Sequence, residues 1–253
     1  MILKKLAWVL FSAAAAAALT SCSAPLRPSQ TGAVSTAAGG DHTDLQAIYS
    51  ELGRAGGRIF TLEPKDSVVR IYAFRAGPAA RLGHNHVLSA PRFTGFFHLP
   101  TSGVANGGFD LVFRLDQLEI DNPAYRSTLG AAFSSVPSLD DIESTRQHML
   151  GANGLQADRF PFVRIHCLQI SGEAPKFAAK VQVEMHGQKR QMWLALDVEG
   201  LPDRLSVGGS FVLRQTDFGV QPYSLLALLS VQDEVVLDFK LAGACRSDTS
   251  GNC

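Results

Sequence analysis

His84 and His86 form a His-x-His pair. On a β-strand, residues two apart project to one side with side chains about 7 Å apart, a spacing from which two imidazoles can chelate zinc or copper. A site needs a third ligand; His98, His148 and His166 qualify only by type, and no HExxH motif or neighbouring Asp or Glu completes a signature. The plainer reading, which we favour, makes one histidine a satisfied polar group at the end of the fold and leaves the other facing solvent. Nothing in the chain resembles a GxSxG nucleophile elbow, a phosphate-binding P-loop or a GxGxxG turn after a strand, so the expectation is a binding protein rather than an enzyme, with no cofactor or metal assigned. Asp217, in Thr-Asp-Phe-Gly, reads as a turn cap rather than an acid.

The elements that would carry these residues show a period of two. Phe109, Leu111, Phe113 and Leu115 alternate with Asp110, Val112, Arg114 and Asp116. Ala179, Val181, Val183 and Met185 alternate with polar residues; Met192, Leu194, Leu196 and Val198 alternate with Gln191, Trp193, Ala195 and Asp197, which puts Trp193 outward. Leu205, Val207, Phe211 and Leu213 keep the pattern across Gly209, and Val235, Leu237, Phe239 and Leu241 repeat it. Such alternation predicts strands with one wet and one apolar face. Further strands are expected at 58–63, 68–74, 92–99 and 162–170, with a hairpin turn at His186-Gly187-Gln188-Lys189. Three helical pieces interrupt them. One begins at Thr43, with a stripe of Leu45, Ile48, Tyr49 and Leu52, and ends at Gly53. A second is capped by Ser138 and Asp141, carries Leu139, Ile142, Met149 and Leu150, and ends at Gly151. A third lies at 223–229. Nine or so antiparallel strands with a short helical crossover predict an all-β fold, a closed barrel without exposed edges.

The 253 residues are 46% hydrophobic and 18% charged, with 23 basic and 23 acidic residues. Zero net charge gives no field to hold a nucleic-acid backbone, and the composition is wrong for a disordered chain. Residues 1–21 read as a signal peptide: Lys4 and Lys5, then an apolar run, Leu6 to Ala18, too short to span a bilayer. Leu19-Thr20-Ser21-Cys22 resembles the bacterial lipoprotein box, so lipidation of Cys22 and a membrane anchor are expected. Cleavage ahead of Cys22 removes two lysines and no acid, leaving a net charge of −2. Ser23 in place of Asp favours the outer membrane, facing the periplasm. Residues 22–56 then comprise the lipidated end, a flexible tether and the first helix, 57–243 one barrel domain, and 244–253 a tail. Cys245 and Cys253 could close a disulfide, and Cys167 is expected to be a buried thiol.

Three stretches resemble the YceI-like family of bacterial periplasmic proteins: Arg146-Gln147-His148-Met149-Leu150-Gly151 with Leu155 and Phe160-Pro161-Phe162-Val163-Arg164-Ile165; Val181 to Val198; and Gln215-Thr216-Asp217-Phe218-Gly219 followed by Asp233-Glu234-Val235-Val236-Leu237. Asp66-Ser67-Val68-Val69-Arg70-Ile71 adds to them, and their order covers nearly all of residues 57–243. The resemblance implies a lipocalin-like antiparallel barrel whose apolar interior holds an isoprenoid, such as a quinone or polyprenyl chain. On that reading the ligand touches Phe97, Phe109, Leu111, Phe113, Val181, Val183, Leu194, Leu196, Phe211, Leu213, Leu237 and Phe239. Arg75, Arg81, His84, His86, Arg146 and His148 are then candidates to meet a pyrophosphate or quinone head group at a mouth. The stretch from Arg75 to Val87 departs from the family pattern and marks a divergent branch. Two other functions stand beside this one: a metal-binding protein or metalloenzyme built on His84 and His86, and an envelope scaffold lipoprotein with a filled barrel. Protein partners are not legible.

Overall fold

The computed structural model describes residues 43–245. The signal segment, Cys22, the tether and Cys253 lie outside the described residues. In chain order the elements are α1 (Thr43–Ala55), β1 (Arg58–Leu62), β2 (Val68–Ala76), β3 (His86–Ser89), β4 (Thr94–Leu99), β5 (Gly108–Arg114), β6 (Glu119–Ile120), α2 (Pro123–Arg126), α3 (Leu139–Leu150), β7 (Phe162–Glu173), β8 (Lys176–Met185), β9 (Gln188–Glu199), β10 (Leu205–Arg214), β11 (Ser224–Leu225) and β12 (Leu229–Cys245). Eight of the strands close an antiparallel barrel in the order β1-β4-β5-β7-β8-β9-β10-β12, with β12 returning to β1 through Phe60 opposite Cys245. Closure is what the period of two requires: every strand has an apolar face to bury and no edge is left to pair elsewhere.

The 17-residue β12 is longer than the barrel needs. Its Ser230–Lys240 stretch pairs with β2 on the side where its last residues pair with β1, and β2 carries β3 and β6 outward as a flap. Two barrel ends follow from the registers. One, the flap end, gathers the end of β5, the β8–β9 turn, the end of β10 and the start of β12. The other gathers the loops β4–β5, β7–β8 and β9–β10 and the end of β12.

Sequence and structure agree most closely at the β8–β9 hairpin. The turn falls on His186 and Gly187, both left-handed (φ 52° and 71°), the geometry that matches strand twist in a two-residue turn. Val181, Val183, Leu194 and Leu196 are buried, and Trp193 is exposed on the outer face. The capping box on α3 also forms: the Asp141 N–H donates to Ser138 Oγ at 3.1 Å, and the Ser138 N–H donates to Asp141 Oδ2 at 2.9 Å.

Other expectations need correction. The segment 223–229 is not helical; it is the tight β11–β12 hairpin, turning through left-handed Leu226 and Ala227. Gly53 does not end α1, which runs on to Ala55; a Cβ there would meet Ile59 Cγ1 at 3.0 Å, so glycine brings the helix close to β1. Ile48 leaves the buried stripe and is half exposed, while Tyr49 packs with Ile59 and Phe96. Leu139 points to solvent, whereas Ile142, Met149 and Leu150 pack on the core. Val112, expected outward, is buried on the same face as Asp110, so β5 is covered on both sides. Among the described residues twelve strands form instead of nine or so, and the last continues past 243 to Cys245.

Candidate functional site

The barrel interior is hollow. A cavity of about 100 Å³ runs through its middle, several times the ~10–15 Å³ that one water molecule needs. Twenty residues line it, every one Leu, Ile, Val or Phe. The backbone makes the space locally. Gly209 lies opposite Phe239 in the β10–β12 register, and a Cβ on it would meet the Phe239 ring at 2.6 Å. The Phe239 ring therefore lies over Gly209, edge-on to Phe211 with centroids 6.4 Å apart.

Of the twelve residues expected to touch a ligand, Phe97, Phe109, Leu111, Phe113, Leu194, Leu196, Phe211, Leu237 and Phe239 line the cavity. Val181, Val183 and Leu213 do not; they are buried in the packed core nearer the flap end. Sequence reasoning missed Val104 and Leu201, which extend the wall into the β4–β5 and β9–β10 loops. It also missed Phe177 and Ile170. Neither loop residue carries a period, so only their contact with distant strands identifies them.

The six polar candidates for a head group are not part of the cavity wall. They lie on the flap side of the barrel, whereas the cavity extends to the opposite end. Buried Leu115, Leu118, Met185, Leu213 and Phe218 fill the flap end. The Arg75 guanidinium donates to the Gly83 carbonyl at 2.6 Å, and Arg81 is exposed on a short 3-10 turn. Arg146 donates to the Leu118 carbonyl at 3.0 Å; His148 lies 2.8 Å from the Ser144 carbonyl and its ring rests on Tyr223.

His84 and His86 are not a chelating pair on one strand, because only His86 belongs to β3. His86 Nδ1 lies 2.6 Å from Asp121 Oδ2, and His84 Nδ1 lies 3.0 Å from Ser135 Oγ. Asp121 and Arg126, unnoticed in the sequence, are the hub of this region. Asp121 is 2% exposed and accepts from Arg126 Nη1 at 2.5 Å; Arg126 also donates to the carbonyls of Asn85, Phe133 and Ser135. Burial by itself would raise the Asp121 pKa. Hydrogen bonds from His86 and the Val87 N–H, with the charges of His86 and Arg126, outweigh it and hold the carboxyl below the usual range. The available signal was Asn122-Pro123, an N-cap followed by a first-turn proline, which starts α2 and so presents Arg126. Among the described residues, no group of three His, Cys, Asp or Glu could hold a metal ion.

His98 and His166 are also apart from that pair. His98 Nε2 lies 2.8 Å from the Gly56 carbonyl. His166 Nδ1 lies 2.7 Å from Asp110, which also accepts from the Tyr49 hydroxyl at 2.8 Å. Cys167 is a buried free thiol, its pKa pushed up by burial. Cys245 is disulfide-bonded; Cys253, the partner expected from the sequence, lies outside the described residues.

No family model and no curated protein matches the chain. Solved structures do. BcnA of Burkholderia cenocepacia is similar with a TM-score of 0.53 at 11% identity, covering 72% of this chain and 98% of BcnA. The YceI protein of Campylobacter jejuni is similar with a TM-score of 0.46 at 9% identity, over 64% of this chain and 85% of that one. A mutant of the latter gives 0.47 at 10% identity over the same shares. The likeness to BcnA, at 11% identity, shows the fold alone, a lipocalin-like antiparallel barrel; YceI-like proteins are among the structural neighbours.

Proposed function

We infer that this chain, a lipocalin-like barrel with the fold of BcnA, binds an isoprenoid or similar amphiphilic lipid in its interior, and does so as a lipid-anchored, periplasm-facing protein. The observation that carries the reading is the cavity, walled only by Leu, Ile, Val and Phe. A hydrocarbon tail gains about 0.8 kcal/mol for each methylene it removes from water, so a long chain binds with few polar contacts and is selected by the length and width of the space. The same wall offers a bound molecule no acid, base or nucleophile, which supports binding rather than catalysis. An envelope scaffold with a filled barrel fits the hollow interior less well. The metal reading has less support: the His84 and His86 rings lie 6.3 Å apart with each Nδ1 engaged by a different partner, but among the described residues no group of three His, Cys, Asp or Glu gathers there to hold an ion.

Anchoring rests on Cys22 and its box: two or three acyl chains hold a protein at a membrane where one does not. The outer membrane is the proposed location. Expression of the full chain in a Gram-negative host, extraction in mild detergent and mass spectrometry of organic extracts test both parts. A polyprenyl or quinone lipid at about one per protein and a diacylglyceryl mass on Cys22 are expected. A protein free of extractable isoprenoid, and unable to take up added quinone, would sink the ligand assignment.

A further inference from the structure

The flap side carries an apolar surface that the interior cavity does not use. At the tip of the β11–β12 hairpin, Leu226 is 83% exposed, Leu228 54% and Leu225 51%. The loop from Gly77 to Gly83 lies against this tip: the Ala79 N–H donates to the Leu228 carbonyl at 2.8 Å, and Leu82, 72% exposed, projects from it. The hydrogen bond between His84 and Ser135 ties the same loop to the segment bearing Val136 and Leu139, 89% and 83% exposed. These are six large apolar side chains on neighbouring loops, where single scattered ones need no explanation.

We propose that this hairpin tip and its flanking loop dock into the surface of an anionic phospholipid bilayer. Charge argues for that occupant. Residues 75–86 carry Arg75 and Arg81 and no carboxylate, and residues 218–232 carry no charge at all. Asp140 and Asp141 follow Leu139 in the first turn of α3, where the Asp141 carboxylate accepts from the Ser138 hydroxyl and N–H. At the hairpin tip and the Gly77–Gly83 loop, apolar residues stand beside Arg81 with acid only at the Leu139 edge, which matches an interface in which leucines enter the acyl boundary and a guanidinium group meets phosphate. Shape argues the same way. A hairpin tip is convex, and it fits a deformable surface more readily than a flat rigid one. Leu226 and Ala227 hold φ of 50° and 56°, which glycine or asparagine would adopt at less cost. Keeping leucine there puts an apolar side chain at the apex. The proposal is independent of what the cavity binds.

The test uses the full lipidated chain in vesicles of phosphatidylethanolamine and phosphatidylglycerol containing a shallow spin-labelled lipid. Leu226→Trp is compared with Asn106→Trp, which places the probe in the exposed β4–β5 loop at the opposite barrel end; Trp193 of the unsubstituted protein supplies the background, since Trp8 is removed with the signal segment when Cys22 is lipidated. Leu226→Trp is expected to shift to the blue and be quenched, and Asn106→Trp to do neither. Adding Leu225→Asp and Leu228→Asp should lower that quenching about tenfold. Arg81→Glu should weaken it on these vesicles but not on phosphatidylcholine. Equal, solvent-like emission from both probes overturns the proposal. So does a blue shift of Leu226→Trp that appears without vesicles and grows with protein concentration, which would assign the tip to a second copy of the chain.

Discussion

Asp121 shows what a single side chain can decide. Its carboxylate accepts from Arg126, His86 and the Val87 N–H, and so ties α2 to β3. Replacing it with alanine leaves the Arg126 guanidinium buried without its counter-charge, at a cost of about 3–5 kcal/mol. The acid dependence follows from the direction of the shift. A carboxyl held below its ordinary value in the fold contributes its full stability above the unfolded pKa, about 3.9, and loses it as pH falls through the lower folded value. Urea unfolding of the native protein and Asp121→Ala should therefore differ most near neutrality and converge in acid below about pH 4. A difference independent of pH would assign the loss to packing instead. None of this was legible in the sequence. Asp121 and Arg126 are five residues apart in a stretch without period, and their value to one another depends on a burial that only the flap provides. His84 and His86 were visible as a pair, but pair spacing has chemical meaning only if both residues belong to one strand.

At the scale of elements, α1 is held to the outer face of the barrel by an apolar cluster of Tyr49, Leu45 and Leu52 with Ile59 and Phe96, and by one hydrogen bond. The Tyr49 ring stacks on Phe96 with centroids 5.1 Å apart, and its hydroxyl donates to Asp110. Burial pushes the Tyr49 phenol far above its ordinary pKa, and the Asp110 charge and hydrogen bond push it further the same way. A group whose pKa is raised by folding gives its full contribution below the unfolded value and loses it as pH rises. The docking of α1 should therefore weaken above about pH 10. Tyr49→Phe should weaken it at neutral pH by about 0.5–1.5 kcal/mol, the net worth of a hydrogen bond, and remove most of the alkaline step. Hydrogen exchange of the α1 amides reads both effects. Unchanged exchange in the variant would mean that stacking alone holds the helix. The helix itself was legible from its apolar spacing, as was α3 from its cap. The 223–229 segment was misread because Leu-Leu-Ala-Leu-Leu has high helical propensity, while pairing with β2 and β10 draws the following residues into a strand.

For the whole molecule the question is what the hollow accepts. Leu194 and Val207 are both part of the wall, on β9 and β10. Enlarging either to Trp adds volume where the barrel has room, so the fold should persist with a stability change within about 1–3 kcal/mol, while the amount of co-purified isoprenoid falls several-fold. Circular dichroism and lipid quantification on the same sample separate the two. Full lipid occupancy in both variants would place the ligand elsewhere.

The sequence by itself determined which residues of the long strands turn inward, where β8 and β9 are joined, and that the chain is all-β, while closure through β1 and β12 is a long-range pairing. The properties other than closure are local: a period of two and a turn of two left-handed residues suffice for them. Only the tertiary structure decided that Leu194 faces open space while Val181 is packed solid, that loop residues Val104 and Leu201 belong to the wall, and that the basic and histidine residues gather on the flap side, away from the cavity. The period assigns a side chain to a face but not to a depth. Depth along the axis, and what stands across the barrel at that depth, depend on the registers of strands far apart in the chain.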